Sequence, residues 1–256
     1  MSKASVQEVL EFAVEAAWQA GRLTLRHFLA GVDVEEKADE SPVTIADRGA
    51  ETLLRDMIEA RFPEDGIVGE EHADKPGTTG RRWIVDPIDG TKSFVHGVPL
   101  YGVMVGVEVD EVPTVGVVNF PALNEMLSGA RGLGAWWNGR RARVSGVKNL
   151  SEATLIITDY VSLYGKDEAV KRLCGAAKLV RGWGDCYGYA LVATGRAEVV
   201  LDPKMNVWDC AALAPIMEEA GGTFTTWDGR ATIWGDEAVA TNGALFDAVM
   251  DVIKKA

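Results

Sequence analysis

The chain has 256 residues, 47% of them hydrophobic and 25% charged, an ordinary globular composition with enough apolar material for a sizeable core. Thirty-eight Asp and Glu against 26 Lys and Arg give a formal net charge of −12, and such a field repels nucleic acid and anionic membrane. Three cysteines, Cys174, Cys186 and Cys210, have neither paired spacing nor a nearby histidine pair, so neither a disulfide framework nor a zinc site is indicated and a reducing cytoplasm is expected.

Against about 150 residues per domain, this length suits one compact body with two lobes, 1–145 and 146–256. At the N-terminal end Glu8, Glu11 and Glu15 interrupt the apolar residues, so neither a signal peptide nor a membrane span is expected. Apolar residues at helical spacing predict an amphipathic helix over 5–28, closed near Gly31. A polar stretch over 33–41 leads to a second helix over 45–61, stopped by Phe62-Pro63. A short apolar run at 67–69 ends in Glu70-Glu71 and is followed by a loop rich in Lys, Pro, Gly and Thr. Trp83-Ile84-Val85 reads as a buried strand ending at Asp86-Pro87. Antiparallel strands are expected at 101–108, 114–119 and 125–130, with a hairpin turn at Asn138-Gly139.

After Ser151 the pattern alternates: strand 154–158, helix 168–177, strand 179–183, helix 187–194, strand 198–201. A helix over 209–220 should kink at Pro215 and stop at Gly221-Gly222. A strand at 223–227, a turn at Asp228-Gly229, a strand at 238–241 and a helix from Ala244 complete the chain.

The segment Asp86-Pro87-Ile88-Asp89-Gly90-Thr91 carries most of the chemistry. Two carboxylates three residues apart at a strand end can converge on one point, and the N–H groups of Gly90 and Thr91 offer an anion site. Carboxylates facing an anion require cations between them, and hard oxygen ligands select magnesium or manganese over zinc. Asp-Pro and Asp-Gly pairs equally serve as turn caps. Other acids stand at comparable places: Glu70 and Glu71 after a strand, Asp47 and Asp209 at helix starts, where each also fits an ordinary capping or solvated role.

In order and spacing these four motifs resemble the inositol monophosphatase family of metal-dependent phosphatases: Asp47, Gly-Glu-Glu at 69–71, the hexapeptide at 86–91, and Trp208-Asp209 with the downstream Glu218-Glu219-Ala220-Gly221-Gly222. The resemblance covers most of the chain and implies an α/β (α+β) fold, a layered α/β/α/β/α sandwich. It implies that Glu70, Asp86 and the Ile88 carbonyl hold one Mg2+, that Asp86, Asp89 and Asp209 hold a second, and that a weaker third sits near Glu70. It further implies phosphate on the Gly90 and Thr91 N–H groups, water activation by Asp47 with Thr91, and a homodimer.

Within the family, Phe94-Val95-His96-Gly97-Val98-Pro99, the stretch 184–191 and the stretch 202–209 look most similar to histidinol-phosphate phosphatases. The substrate expected is a small phosphorylated alcohol contacted by Asp89, Asp185, Asp202 and Asp209, whose ammonium would meet Asp185 or Asp202; these last two also read as turn residues. An inositol-1-phosphate or broad sugar-phosphate phosphatase is the enzymatic alternative, and a metal-dependent binding or regulatory protein the non-enzymatic one. Lys37 is a weak candidate for approaching phosphate, and His27, His72 and His96 read as non-catalytic. Neither Gly132-Leu133-Gly134 nor Gly182-Trp183-Gly184 completes a dinucleotide motif.

Overall fold

The computed structural model describes residues 4–31, 34–36, 42–158 and 165–255; Lys37 lies outside them. Helix α1 (Val6–Thr24) starts where the Ser5 and Glu8 side chains cap each other's backbone N–H, a reciprocal arrangement that satisfies two otherwise orphaned donors. Strands β1 (Val34–Glu36) and β2 (Pro42–Thr44) pair with each other and lead into α2 (Ile45–Arg61). Then follow β3 (Gly66–Gly69), β4 (Arg81–Asp89), the short α3 (Thr91–Val95), β5 (Gly102–Val109), β6 (Val112–Phe120), β7 (Glu125–Ala130), β8 (Gly134–Trp137) and β9 (Arg140–Arg141). These strands form a seven-stranded sheet in the order β3-β4-β5-β6-β7-β8-β9, antiparallel except for β3 with β4.

The remainder comprises β10 (Thr154–Ile157), α4 (Asp167–Ala176), β11 (Leu179–Arg181), α5 (Asp185–Ala193), β12 (Val199–Asp202), α6 (Val207–Ala211), α7 (Leu213–Ala220), β13 (Thr223–Thr225), β14 (Ala238–Thr241) and α8 (Phe246–Ile253). Its five strands order as β11-β10-β12-β14-β13.

The side-chain alternation of the strands dictates how the layers stack. In the first sheet Trp83, Val85, Val103 and Val105 face α1 and α2, while Ile84 and Met104 face the opposite way. In the second sheet Ile156 and Val200 join Ile84 and Met104 in one core with Tyr189 of α5 and Met217 of α7. Leu155, Ile157, Val199 and Leu201 instead pack against Val170 of α4 and Val249 of α8. The result is α/β/α/β/α: two sheets, a helical layer between them, and a helical pair outside each. Each fully buried aliphatic or aromatic side chain in these cores contributes roughly 1.5–3 kcal/mol.

Two sequence expectations need correction. The strand expected to end at Asp86-Pro87 continues to Asp89. Asp86 pairs with Met104 and Asp89 with Gly102, so β4 spends one more residue than β5 across this interval. Such a bulge accommodates Pro87, which has no N–H for the ladder. The helix expected over 209–220 is two helices, broken at Ala212 rather than kinked at Pro215. Pro215 falls in the first turn of α7, where a missing N–H leaves no helical bond unmade. The break lets the chain press onto the first sheet: a Cβ on Gly116 would lie 1.9 Å from the Ala212 carbonyl oxygen. As expected, α7 stops at Gly221, whose φ of 91° and paired N–H bonds to Glu218 and Met217 form a left-handed cap.

Candidate active site

The bulge in β4 determines where its carboxylates point. In a regular strand, residues three apart face opposite sides; one additional residue brings Asp86 and Asp89 to the same side. Asp86 is buried, and its Oδ1 accepts the Ile88 N–H at 3.0 Å. Asp89 closes the strand, with Oδ2 accepting the Cys186 N–H of α5 at 2.6 Å. Asp209 arrives from α6, where Asn206 at the N-cap donates its backbone N–H to Asp209 Oδ2 at 2.6 Å. One ligand oxygen from each of Asp86, Asp89 and Asp209 lies within 4.8 Å of the other two.

Burial is the leading cause that raises the pKa of all three acids. Asp86 is raised further by Glu70 and Asp89, and Asp89 by Asp185 and Asp209. Asp209 rises to about 6, its shift limited by the Asn206 hydrogen bonds. Among the described residues no lysine or arginine pairs with these carboxylates. Concentrated buried charge without a cationic side chain, presented entirely by oxygen donors, fits a hard divalent cation.

The remaining expected residues surround this cluster. Asp47 is fully buried in the first turn of α2, and its Oδ2 accepts the N–H and hydroxyl of Thr44 at 2.8 and 2.5 Å. Its charge and that of Glu70, just beyond β3, both act on Asp86. Thr91 opens α3, donating its hydroxyl to the Ile88 carbonyl at 3.0 Å. Gly90 has φ 80°, and Asp185, itself in the left-handed region at φ 52°, faces it closely enough that a Gly90 Cβ would lie 2.9 Å from Asp185 Oδ2. Asp202 ends β12 in a more enclosed setting: it is 3% exposed, accepts the Tyr189 hydroxyl at 2.7 Å, and is pushed up to about 7, chiefly by burial. His96 bonds the Lys92 carbonyl through Nδ1 at the surface.

A sequence profile of the inositol monophosphatase family matches residues 5–254. The chain belongs to the inositol monophosphatase family. It is 50% identical over 240 residues to a histidinol-phosphatase of Chlorobaculum parvum, covering 92% of this chain and 93% of that one. A Mycobacterium tuberculosis histidinol-phosphatase is 41% identical over 250 residues, covering 94% and 96%. The structure of a Thermotoga maritima IMPase superposes with a TM-score of 0.88 at 34% identity, over 97% of both chains. Beyond the motifs that carry this family resemblance, several site neighbours left no signal in the sequence. Ser93 lies 3.5 Å from Asp185 Oδ2, Thr158 accepts the Asp185 N–H at 3.2 Å, and Glu51 of α2 receives two N–H groups just after Glu70.

Proposed function

We propose that this chain is a magnesium-dependent histidinol-phosphatase, a phosphoric monoester hydrolase that releases phosphate by direct attack of water. The observation that carries the reading is the convergence of Asp86, Asp89 and Asp209 beside Asp185, in a chain 50% identical to a histidinol-phosphatase. Glu70, Asp86 and the Ile88 carbonyl would hold one Mg2+, Asp86, Asp89 and Asp209 a second, and Glu70 a weaker third. Bound there, divalent cations neutralise phosphate charge and make water easier to deprotonate.

The protein's own groups supply the rest. Asp47, held by two bonds to Thr44, accepts the proton of the attacking water as its oxygen bonds to phosphorus and the ester P–O bond breaks, and the departing alkoxide takes its proton from a second water. The Thr91 hydroxyl gives its hydrogen to Ile88, so its lone pairs face that water and orient it. The Gly90 and Thr91 N–H groups receive phosphate oxygens. Asp185 stands against the phosphate loop, where a second carboxylate would repel a simple anion; its use is to pair with a cationic substituent close to the ester. Asp202, already bonded to Tyr189, is the more distant candidate for the same ammonium. The reading also includes a homodimer and a cytoplasmic setting.

The test is kcat/KM on histidinol phosphate, inositol-1-phosphate and fructose-1,6-bisphosphate with magnesium. Histidinol phosphate should be preferred by roughly ten- to a hundredfold, the worth of one charge-assisted contact of about 1.5–3 kcal/mol. Preference for inositol-1-phosphate would favour the alternative that the Thermotoga maritima IMPase resemblance supports. No hydrolysis of any ester would leave the binding-protein reading.

A further inference from the structure

The carboxylate of Glu51 has no part in the chemistry above, yet it is wholly buried. It stands one helical turn after Asp47 on α2 and reaches across to the segment that follows β3. Its Oε2 accepts the Glu71 N–H at 2.6 Å, and its Oε1 accepts the His72 N–H at 3.2 Å. Arg55, four residues on, donates Nε to Glu51 Oε1 at 2.7 Å and Nη2 to the His72 carbonyl at 3.1 Å. The backbone just beyond Glu70 is therefore gripped through two consecutive N–H groups and one carbonyl. The carboxylate comes so close that a Cβ on Gly69 would lie 2.1 Å from Glu51 Oε1, which leaves only glycine room at the residue before Glu70.

We propose that Glu51 is the positioning residue for Glu70: with Arg55 it locks the turn after β3 and so sets the affinity of the site for a divalent cation. The inference rests on the reading of Glu70 as a cation ligand. An ordinary salt bridge on one helix would tie Glu51 to Arg55 alone. Here the pair instead clasps a loop some twenty residues away, and α2 carries both Asp47 and the clasp, so the proton acceptor and the ligand loop move as one body. Groups behind metal ligands commonly change metal affinity about 10- to 100-fold when altered.

Glu51→Gln keeps the volume but turns an NH2 donor toward N–H donors. Magnesium affinity measured by titration calorimetry on the full chain should weaken about 10- to 100-fold. Turnover should recover substantially at saturating magnesium, and amide exchange at Glu71 and His72 should accelerate. A folded Glu51→Gln protein with parental magnesium affinity would overturn the proposal. Should that variant not fold, Arg55→Lys, which loses the bond to the His72 carbonyl, takes the same criterion. Asp86→Asn separates the two ideas: parental affinity in that variant sinks the metal-site reading itself, whereas loss there with no change in Glu51→Gln sinks only the role of Glu51.

Discussion

Removing the cation should invert the usual pH dependence of stability. Asp209 is raised from 3.8 to about 6 and Asp202 to about 7, each chiefly by burial, and Asp86 and Asp89 are raised as well. A carboxyl whose folded pKa exceeds its unfolded value binds protons more tightly when folded. The stability it lends is present at low pH and falls as pH rises through the window between the two values. Going from pH 5 to 8 crosses about one unit of that window for Asp209 and two for Asp202, and at 1.36 kcal/mol per unit the two lose about 4 kcal/mol. For a chain of this size a loss of 1 kcal/mol lowers Tm by about 2–4 °C, so the chelated protein should melt on the order of 10 °C lower at pH 8 than at pH 5. Saturating magnesium should remove the part of the slope that comes from Asp86, Asp89 and Asp209, because cation and protons compete for those oxygens, and leave the part from Asp202, which is bonded to Tyr189 and is no ligand. Scanning calorimetry with EDTA and with magnesium across this range reads both arms. Asp209→Asn should flatten part of the EDTA slope and raise the melting temperature of the chelated protein at pH 8. A chelated parent that is equally stable at pH 5 and 8 would refute the account of buried, mutually repelling carboxylates.

Water activation by a coupled pair predicts that Asp47→Asn and Thr91→Ala each lower turnover by orders of magnitude and that the double variant loses little more; multiplicative losses in steady-state kinetics would show independent roles. Asp185→Asn should reduce kcat/KM for histidinol phosphate roughly ten- to a hundredfold and spare p-nitrophenyl phosphate, whereas parallel losses on both esters would make Asp185 a support of the cluster. Gly116→Ala, whose Cβ would strike the Ala212 carbonyl, should destabilise by more than the 1–3 kcal/mol typical of overpacking, as read by denaturant titration with unchanged m-value.

The fold was legible wherever periodicity and turn chemistry act locally. The helix at 45–61 and the strands around Val105 and Val117 follow from spacing of apolar residues, and Gly221 stops its helix for purely local reasons. The same spacing carries the first helix to residue 28, whereas it ends at Thr24 and continues as a turn. What was not legible depends on partners far along the chain. The bulge at Asp86 exists because β4 must match β5 at Met104 and Gly102, and Asp-Pro in isolation reads as a strand end. The break at Ala212 answers to Gly116 on another strand. Glu51 and Arg55 at a spacing of four resemble a solvated helical pair, and only the approach of Glu71 and His72 shows otherwise. Asp185 after Gly184 reads as a turn residue as readily as a substrate contact, and only its approach to Gly90 places it beside the end of β4.

The two sheets differ in how far the chain travels between neighbouring strands. From β4 to β9 each strand pairs with its successor, whereas β10 sits between β11 and β12, and β14 between β12 and β13. Pairing between sequence neighbours closes short loops and forms early; crossover pairing closes long ones and forms late. Asp86 and Asp89 belong to the early set, and Asp209 comes after three strands of the late one. The order of closure predicts that the three carboxylates come together only after the first sheet has formed. Magnesium should accordingly slow unfolding while leaving the refolding rate nearly unchanged, so that the bound ion acts as a kinetic latch on the finished protein.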